Sequence, residues 1–338
     1  MSARRHRLLL CAFLSVACLP TALAAAAGPP LPSSASGAAG AVAPGGSERF
    51  LTRRAGTDTV VVVVRQTDGR ILRSRRIGGR WSVPSVTLDN GTTGLSTDGR
   101  MLVLARPTQR FPTAATHLAV LDARQLVMRR QIRLPGFFTV DAISPDGRWA
   151  YLIQYADSVL DYRVRALDTH TGRLAARDVV DPRSPGEQMG GLPMTRTMSA
   201  DGRWAYTLYG GGKETFIHAL DTVGRRAACI DLDMLPPDRD VSAVRLRVSP
   251  GGQHVSVDDG GTLVATVDAR TFAVSEPGAT AARPAASAAP GGALRPPADG
   301  DGFPWVALVI LGGAAGLCAG AVVLTRRRSK RTSAAPQG

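Results

Sequence analysis

The sequence predicts an all-β fold built from a repeated unit. A turn motif that begins with Ser recurs at intervals of 48, 55 and 50 residues, starting at Ser96, Ser144, Ser199 and Ser249. A hydrophobic residue followed by Asp recurs in step with it, 19 to 26 residues after each motif Ser. Between residues 50 and 275 no stretch keeps an apolar period of 3.6 over three helical turns, so an α/β fold is not expected.

The chemistry of the motif explains why a tight turn stands at each repeat. In Ser144–Arg148, Pro presets the first corner of the turn, Asp bonds back to its own backbone and Gly accepts a positive φ. Short apolar strands flank each turn, a third strand ends at each hydrophobic-Asp pair, and a weaker fourth strand follows. Four antiparallel strands in roughly 50 residues are typical of a β-propeller blade.

The predicted strands are Val60–Val64, Ile71–Arg75, His117–Leu121, Gln131–Leu134, Thr139–Ile143, Trp149–Gln154, Arg163–Leu167, Ala175–Val180, Thr195–Met198, Trp204–Tyr209, Phe216–Leu220, Arg245–Val248, His254–Val257 and Leu263–Val267. The four motifs predict four blades. The segment Thr59–Val86, which precedes the first motif, adds an incomplete or closing blade, so we expect about five. Six blades is the alternative, if one blade has degenerated.

Both ends of the chain carry signals that place it at a bacterial membrane. Residues 1–24 combine early arginines, an apolar run and a small-residue site at Ala22–Ala24, which is the layout of a secretory signal peptide. Residues 304–325 contain the uncharged run Trp305–Leu324, long enough to cross a bilayer as one transmembrane helix. The basic tail 326–338 follows at once and by the positive-inside rule stays in the cytoplasm.

Two segments rich in Ala, Pro, Gly and Ser separate these signals from the repeats. Residues 25–49 predict a flexible linker and residues 276–303 a stalk, which leaves 50–275 as the ectodomain. Small residues also stand four apart in the predicted span, at Gly312, Gly316 and Gly320. This spacing lets two helices approach closely and predicts a homodimer. The alternative is a span whose Gly and Ala content only reflects a GC-rich genome.

The formal charge of +14 first suggests a nucleic-acid partner, because 41 Lys and Arg face 27 Asp and Glu. Three of the basic residues lie in the signal and five in the tail, and neither segment contains an acid. The exported part therefore keeps a charge of only about +6, and its charges alternate in sign without a basic run that contains aromatic residues. We expect no nucleic-acid partner, and the basic tail is explained by topology and anionic lipid.

The segment Ser144–Leu152, with the sequence Ser-Pro-Asp-Gly-Arg-Trp-Ala-Tyr-Leu, resembles the repeat of bacterial WD40-like propellers. These include the TolB-type and the YVTN or lactonase-type propellers. The resemblance covers roughly residues 90 to 275 and implies the fold. It does not imply one function, because the motif shapes a blade and carries no chemistry.

Two charged residues occupy the same place in adjacent repeats. Asp141 and Arg196 each lie three residues before the motif Ser, on an otherwise apolar strand face. They are expected to point from neighbouring blades in one layer. One interpretation is a buried ion pair; the other is a pair of ligand contacts at the channel mouth.

The longest repeat interval contains an extra loop, Asp181–Pro193. Inserts in propellers extend over one face and often carry binding residues. The charged residues Arg183 and Glu187 are therefore candidates for ligand contact. A plain connecting loop is the alternative.

Catalytic signatures are largely absent, since there is no Gly-x-Ser-x-Gly elbow, no His-Glu-x-x-His and no phosphate-binding Gly loop. We expect no catalytic residue, no metal ligand and no cofactor. The His of the repeats, including His117 and His218, and the exported Cys229 are expected to be structural. The predicted function is a membrane-anchored module outside the cytoplasm that binds or scaffolds an envelope protein or glycan. A lactonase-type hydrolase and the sensory ectodomain of a signalling complex are the alternatives.

Overall fold

A computed structural model describes residues 40–108, 111–156, 158–186 and 189–278. The all-β prediction is confirmed. The predicted signal peptide, the predicted span with Gly312, Gly316 and Gly320, and the basic tail lie outside the described residues. Among the described residues, no helix combines the length and the apolar character that crossing a membrane requires.

The strands are β1 (Ala41–Val42), β2 (Glu48–Ala55), β3 (Asp58–Arg65), β4 (Ile71–Ile77), β5 (Met101–Ala105), β6 (Ala115–Asp122), β7 (Val127–Pro135), β8 (Phe137–Ile143), β9 (Trp149–Tyr155), β10 (Asp161–Asp168), β11 (Arg173–Leu174), β12 (Met189–Gly190), β13 (Leu192–Met198), β14 (Trp204–Gly210), β15 (Phe216–Asp221), β16 (Arg226–Asp231), β17 (Val244–Val248), β18 (His254–Asp259), β19 (Thr262–Asp268) and β20 (Val274–Ser275).

Within the described ranges, the strands form five antiparallel sheets in chain order. Sheet I is β1-β2-β3-β4, sheet II is β5-β6-β7, and sheet III is β8 to β11 with β12 added beside β10. Sheets IV and V are β13 to β16 and β17 to β20. Apart from β12, each strand pairs with its neighbours in the chain and the connections between them are short, as in the blades of a propeller.

The core consists of apolar layers between neighbouring sheets. Sheets I and II share a buried cluster that includes Phe50 and Leu104, and sheets II and III share one that includes Leu118 and Leu152. Sheets III and IV pack through Tyr151 and Leu220, and sheets IV and V through Leu208 and Val257 among others. Sheets II, III and IV thus bury both faces, which explains why many of their strands are apolar on consecutive positions.

The repeated Ser motif forms a hydrogen-bonded turn between two strands. In the turn of sheet III, the Ser144 hydroxyl donates to Asp146 Oδ1 over 2.6 Å and accepts from the Trp149 amide over 2.9 Å. The Arg148 amide also donates to Asp146 Oδ1. Gly147 adopts a φ of 72°, which a residue with a Cβ rarely takes. The turn that begins at Ser199 repeats this network.

The Asp of the repeated hydrophobic-Asp pair also stabilises a turn. Oδ1 of Asp122, Asp168, Asp221 and Asp268 accepts two backbone amides from the residues two and three positions later. The hydrogen bond from the Arg129 side chain and then the Gln125 amide lower the pKa of Asp122. The amide and the hydroxyl of Thr271 lower the pKa of Asp268. The turn aspartates therefore hold the chain reversal between the third and fourth strands.

The N-terminal sheet differs from the expected incomplete blade. Sheet I has four strands, and β1 and the start of β2 lie in the segment that composition assigned to a linker. Ala41 pairs with Phe50 and is buried in the core. Sheet II is instead the three-stranded one, because its first strand is reduced to isolated bridges such as Leu95 to Leu102.

The prediction of a fourth strand at Ala175–Val180 is wrong. β11 covers only Arg173–Leu174; in the described residues that follow it, the Ala175 amide donates to the Ala166 carbonyl and the Val179 amide to the Val164 carbonyl of β10. Four residues of the outer segment thus span two residues of β10, so the chain between them bulges outward. The bulge brings the Asp178 carboxylate to 3.0 Å from Arg165 Nε.

Candidate binding site

Asp141 and Arg196 meet between sheets III and IV. Arg196 Nη2 donates to Asp141 Oδ1 over 2.8 Å, and Arg196 Nη1 donates to the backbone carbonyl of Asp141. The side chains are 6% and 1% exposed, for Arg196 and Asp141 respectively. The structure therefore shows the buried ion pair, which was one of the two expected roles. A contact from these residues to a ligand stays a prediction.

A β-bulge explains how Asp141 reaches its partner. Val140 pairs with Leu152 and Ala142 with Tyr151, so Asp141 is an extra residue in β8. Bulges redirect a side chain out of the regular alternation. Ile143 packs toward sheet II, so regular alternation counted back from the motif turn would point Asp141 the same way; with the extra residue, its carboxylate instead meets Arg196 on the innermost strand of sheet IV.

The ion pair begins a row of polar side chains across sheet IV. Arg196 pairs in register with Thr207, Thr207 with His218, and His218 with Cys229. Residues directly opposite one another in a sheet project from the same face. The row therefore runs along the face that packs against sheet III, from the innermost strand to the outermost.

Several buried atoms of this row have no hydrogen-bond partner among the described residues. They are Asp141 Oδ2, Arg196 Nε, Thr207 Oγ1 and both ring nitrogens of His218. Burial lowers the pKa of His218 to about 4, and Arg196 adds to the shift, while Asp141 and Asp181 oppose it. The imidazole is therefore neutral at neutral pH. Buried polar groups normally bond to protein or to ordered water, so this row is a candidate for bound water or a ligand.

The insert is tied to the outer end of the same row. Asp181 is buried and its carboxylate pairs with Arg183, with Nη2 to Oδ2 at 2.6 Å. Asp181 Oδ2 also accepts the Cys229 amide, and Arg183 Nη2 donates to the Cys229 carbonyl. Arg183, a predicted ligand contact, thus fastens the insert to β16. Glu187, the other candidate of the insert, lies outside the described residues.

A groove of about 560 Å³ opens between β10 and the insert. Its polar lining includes Asp161, Arg163 and Asp178, and its apolar lining includes Tyr162 and Val180. The Arg163 side chain is 74% exposed and stands 3.8 Å from Asp178 at the nearest N and O atoms. The groove offers charges of both signs beside apolar surface, which suits a polar macromolecular ligand. The sequence pointed to the insert, but not to the strand edge that forms the other wall.

A smaller pocket of about 220 Å³ lies between sheets II and III and is lined in part by Arg106, His117 and Phe137. Burial lowers the pKa of His117, and the nearby charges of Arg106 and Arg133 lower it further. Within the ranges that the structure covers, no three His, Cys, Asp or Glu side chains converge so as to hold a metal ion.

No protein-family model matches the chain, and no curated protein matches it. Among solved structures, TolB from Acinetobacter baumannii gives a TM-score of 0.40 at 12% identity over 68% of this chain and 50% of that chain. The Swd1 β-propeller domain of Myceliophteria thermophila gives a TM-score of 0.39 at 13% identity, over 65% of this chain and 62% of that chain. A putative 6-phosphogluconolactonase from Bacteroides uniformis gives a TM-score of 0.40 at 16% identity, over 70% of this chain and 68% of that chain.

The chain spans half to about two thirds of the length of these structures. Similarity at these identities and TM-scores does not allow a function to be assigned to this chain. The class that its own sheets and turns define is an all-β repeat protein with the antiparallel blade plan of a β-propeller.

Proposed function

We propose that the chain is a membrane-anchored β-propeller of about five blades that lies outside the cytoplasm and binds a protein or glycan of the bacterial envelope. The observation that carries this proposal is the groove between β10 and the insert. Binding residues often lie on loops that a rigid scaffold holds in place. Here the Asp181–Arg183 pair and its bonds to the Cys229 backbone supply that rigidity.

The charge pattern of the groove supports a polar macromolecular ligand. Arg163 and Asp161 are exposed, and the partly exposed Val180 adds apolar area beside them. Apolar surface flanked by charged groups is common in protein interfaces. Sugar hydroxyls likewise bond to carboxylates and guanidinium groups, so a glycan suits the same surface.

Site-specific photo-crosslinking in intact cells tests this proposal. A photoreactive amino acid replaces Arg163 in the full-length protein, and adducts are identified by mass spectrometry. We expect one dominant protein or glycan adduct. The matched control places the same probe at Arg270, an exposed arginine in the last turn of sheet V, and should not give this adduct. Equal labelling from both positions, or adducts with lipid alone, would contradict binding at the groove.

A further inference from the structure

Two sulfur atoms meet where the insert touches sheet IV. Cys229 Sγ on β16 lies 3.8 Å from Met189 Sδ on β12. A thiolate and a thioether are soft ligands, which favour monovalent copper over hard cations. Two sulfur ligands at about 2.3 Å from a metal and roughly 120° apart would stand about 4 Å from each other. The observed separation is close to that value.

His218 stands beside this sulfur pair. It is the direct cross-strand partner of Cys229, and the Cys229 amide and carbonyl both bond outward, to Asp181 and Arg183. His218 and Cys229 therefore form a non-hydrogen-bonded pair of the antiparallel ladder. In such pairs the Cα atoms are about 4.5 Å apart and the side chains lie closer together than in hydrogen-bonded pairs. His218 is 1% exposed and neither ring nitrogen has a hydrogen-bond partner among the described residues.

We propose that Cys229, Met189 and His218 form a binding site for a soft monovalent cation of the Cu(I) class. The three side chains supply a thiolate, a thioether and an imidazole nitrogen, a ligand set that favours Cu(I) over Mg²⁺ or Ca²⁺. The metal would join the insert to the outer strand of sheet IV. Met189 also lines the binding groove proposed above, so the two sites adjoin, but the metal site does not depend on the proposed function.

The charge balance favours a monovalent ion. On binding, the Cys229 thiol releases its proton to water and its sulfur bonds to the metal; no electron is transferred. One thiolate and one Cu(I) sum to zero, and the imidazole and the thioether are neutral. Asp181 is already paired with Arg183. A divalent ion would leave a net positive charge next to the buried His218, which desolvation disfavours.

Competition for Cu(I) tests the site in the full-length protein purified in detergent without oxygen. Bicinchoninate serves as the coloured competitor. We expect the protein to remove one equivalent of Cu(I) and its Tm to rise, because a ligand that binds only the folded state stabilises it. Cys229→Ser should abolish this binding. Met189→Leu and His218→Leu should each weaken it at least about tenfold, the minimum seen when even a supporting contact of a metal site is lost.

Matched controls separate this site from other sulfur in the chain. Cys318→Ser changes the cysteine of the predicted span, and Met198→Leu changes a half-buried Met on β13; both should bind as the wild type does. Met189→Leu conserves apolar volume, so its fold should persist, and a wild-type unfolding transition without copper verifies this. Cu(I) binding that survives Cys229→Ser, or that is equal in wild type, Met189→Leu and His218→Leu, would overturn the proposal.

Discussion

Replacing Arg196 by Met is expected to lower the free energy of unfolding by about 3–5 kcal/mol, the usual result of removing one partner of a buried ion pair. The substitution leaves Asp141 as an uncompensated charge that is 1% exposed. It also removes the donor to the Asp141 carbonyl. Urea unfolding of the full-length protein, followed by tryptophan fluorescence, measures the change.

An ion pair whose arginine is exposed provides the matched control for this substitution. Arg247 lies 3.2 Å from Asp258; the arginine side chain is 68% exposed and the aspartate 12%, and Asp258 keeps a hydrogen bond from the Ser256 hydroxyl when Arg247 is replaced. Arg247→Met should therefore cost less than about 1 kcal/mol. The double variant Asp141→Leu with Arg196→Met removes both buried charges and should recover most of the lost stability. Equal losses from Arg196→Met and Arg247→Met would show that the pair between sheets III and IV is not buried.

Gly202→Ala is the second substitution with a large expected effect. Gly202 has a φ of 70°, which costs a residue with a Cβ about 1–2 kcal/mol. A Cβ there would overlap the Thr97 hydroxyl and lie 2.7 Å from Thr97 Cβ, in the turn of sheet II. Overpacking of this kind adds about 1–3 kcal/mol. The total loss of stability is therefore expected to be about 2–5 kcal/mol.

Gly252 occupies the equivalent place in the motif turn of sheet V and isolates the steric contribution. Its φ is 74°, and a Cβ there would meet no atom within 4 Å. Gly252→Ala should cost only the backbone penalty of about 1–2 kcal/mol. Thermal unfolding of both variants gives the comparison. Equal losses would mean that the turns of sheets II and IV do not pack against each other.

The repeat and its turns were predictable because they depend on residues close together in sequence. Ser, Asp and Gly within five positions determine the turns at Ser96, Ser144 and Ser199, the turn at Ser249 has Gly in place of Asp, and each turn places a strand on either side. The pairing of Asp141 with Arg196 could also be inferred, because each lies three residues before the Ser of an equivalent turn. The β-bulge at Asp141, which turns its side chain toward Arg196, left no sign in the local pattern.

The rest of the candidate site depends on contacts between distant segments. Met189 meets Cys229 only because the insert folds back over β16, where Asp181 accepts the Cys229 amide. Similarly, the amide of Leu88 donates to the carbonyl of Pro193 in sheet IV, a contact that spans 105 positions of the chain. Such contacts follow from the packing of whole sheets, so no periodicity or local motif predicts them.

The proposed function requires the export and the membrane topology that the basic residues at the two ends predict. Protease added to intact cells, with an epitope placed after Gly338, tests this most directly. We predict that the repeat domain is digested, while the epitope stays with the membrane and is lost only after the cells are permeabilised. A repeat domain that is protected in intact cells and recovered in the soluble fraction with its N-terminal 24 residues intact would contradict this topology.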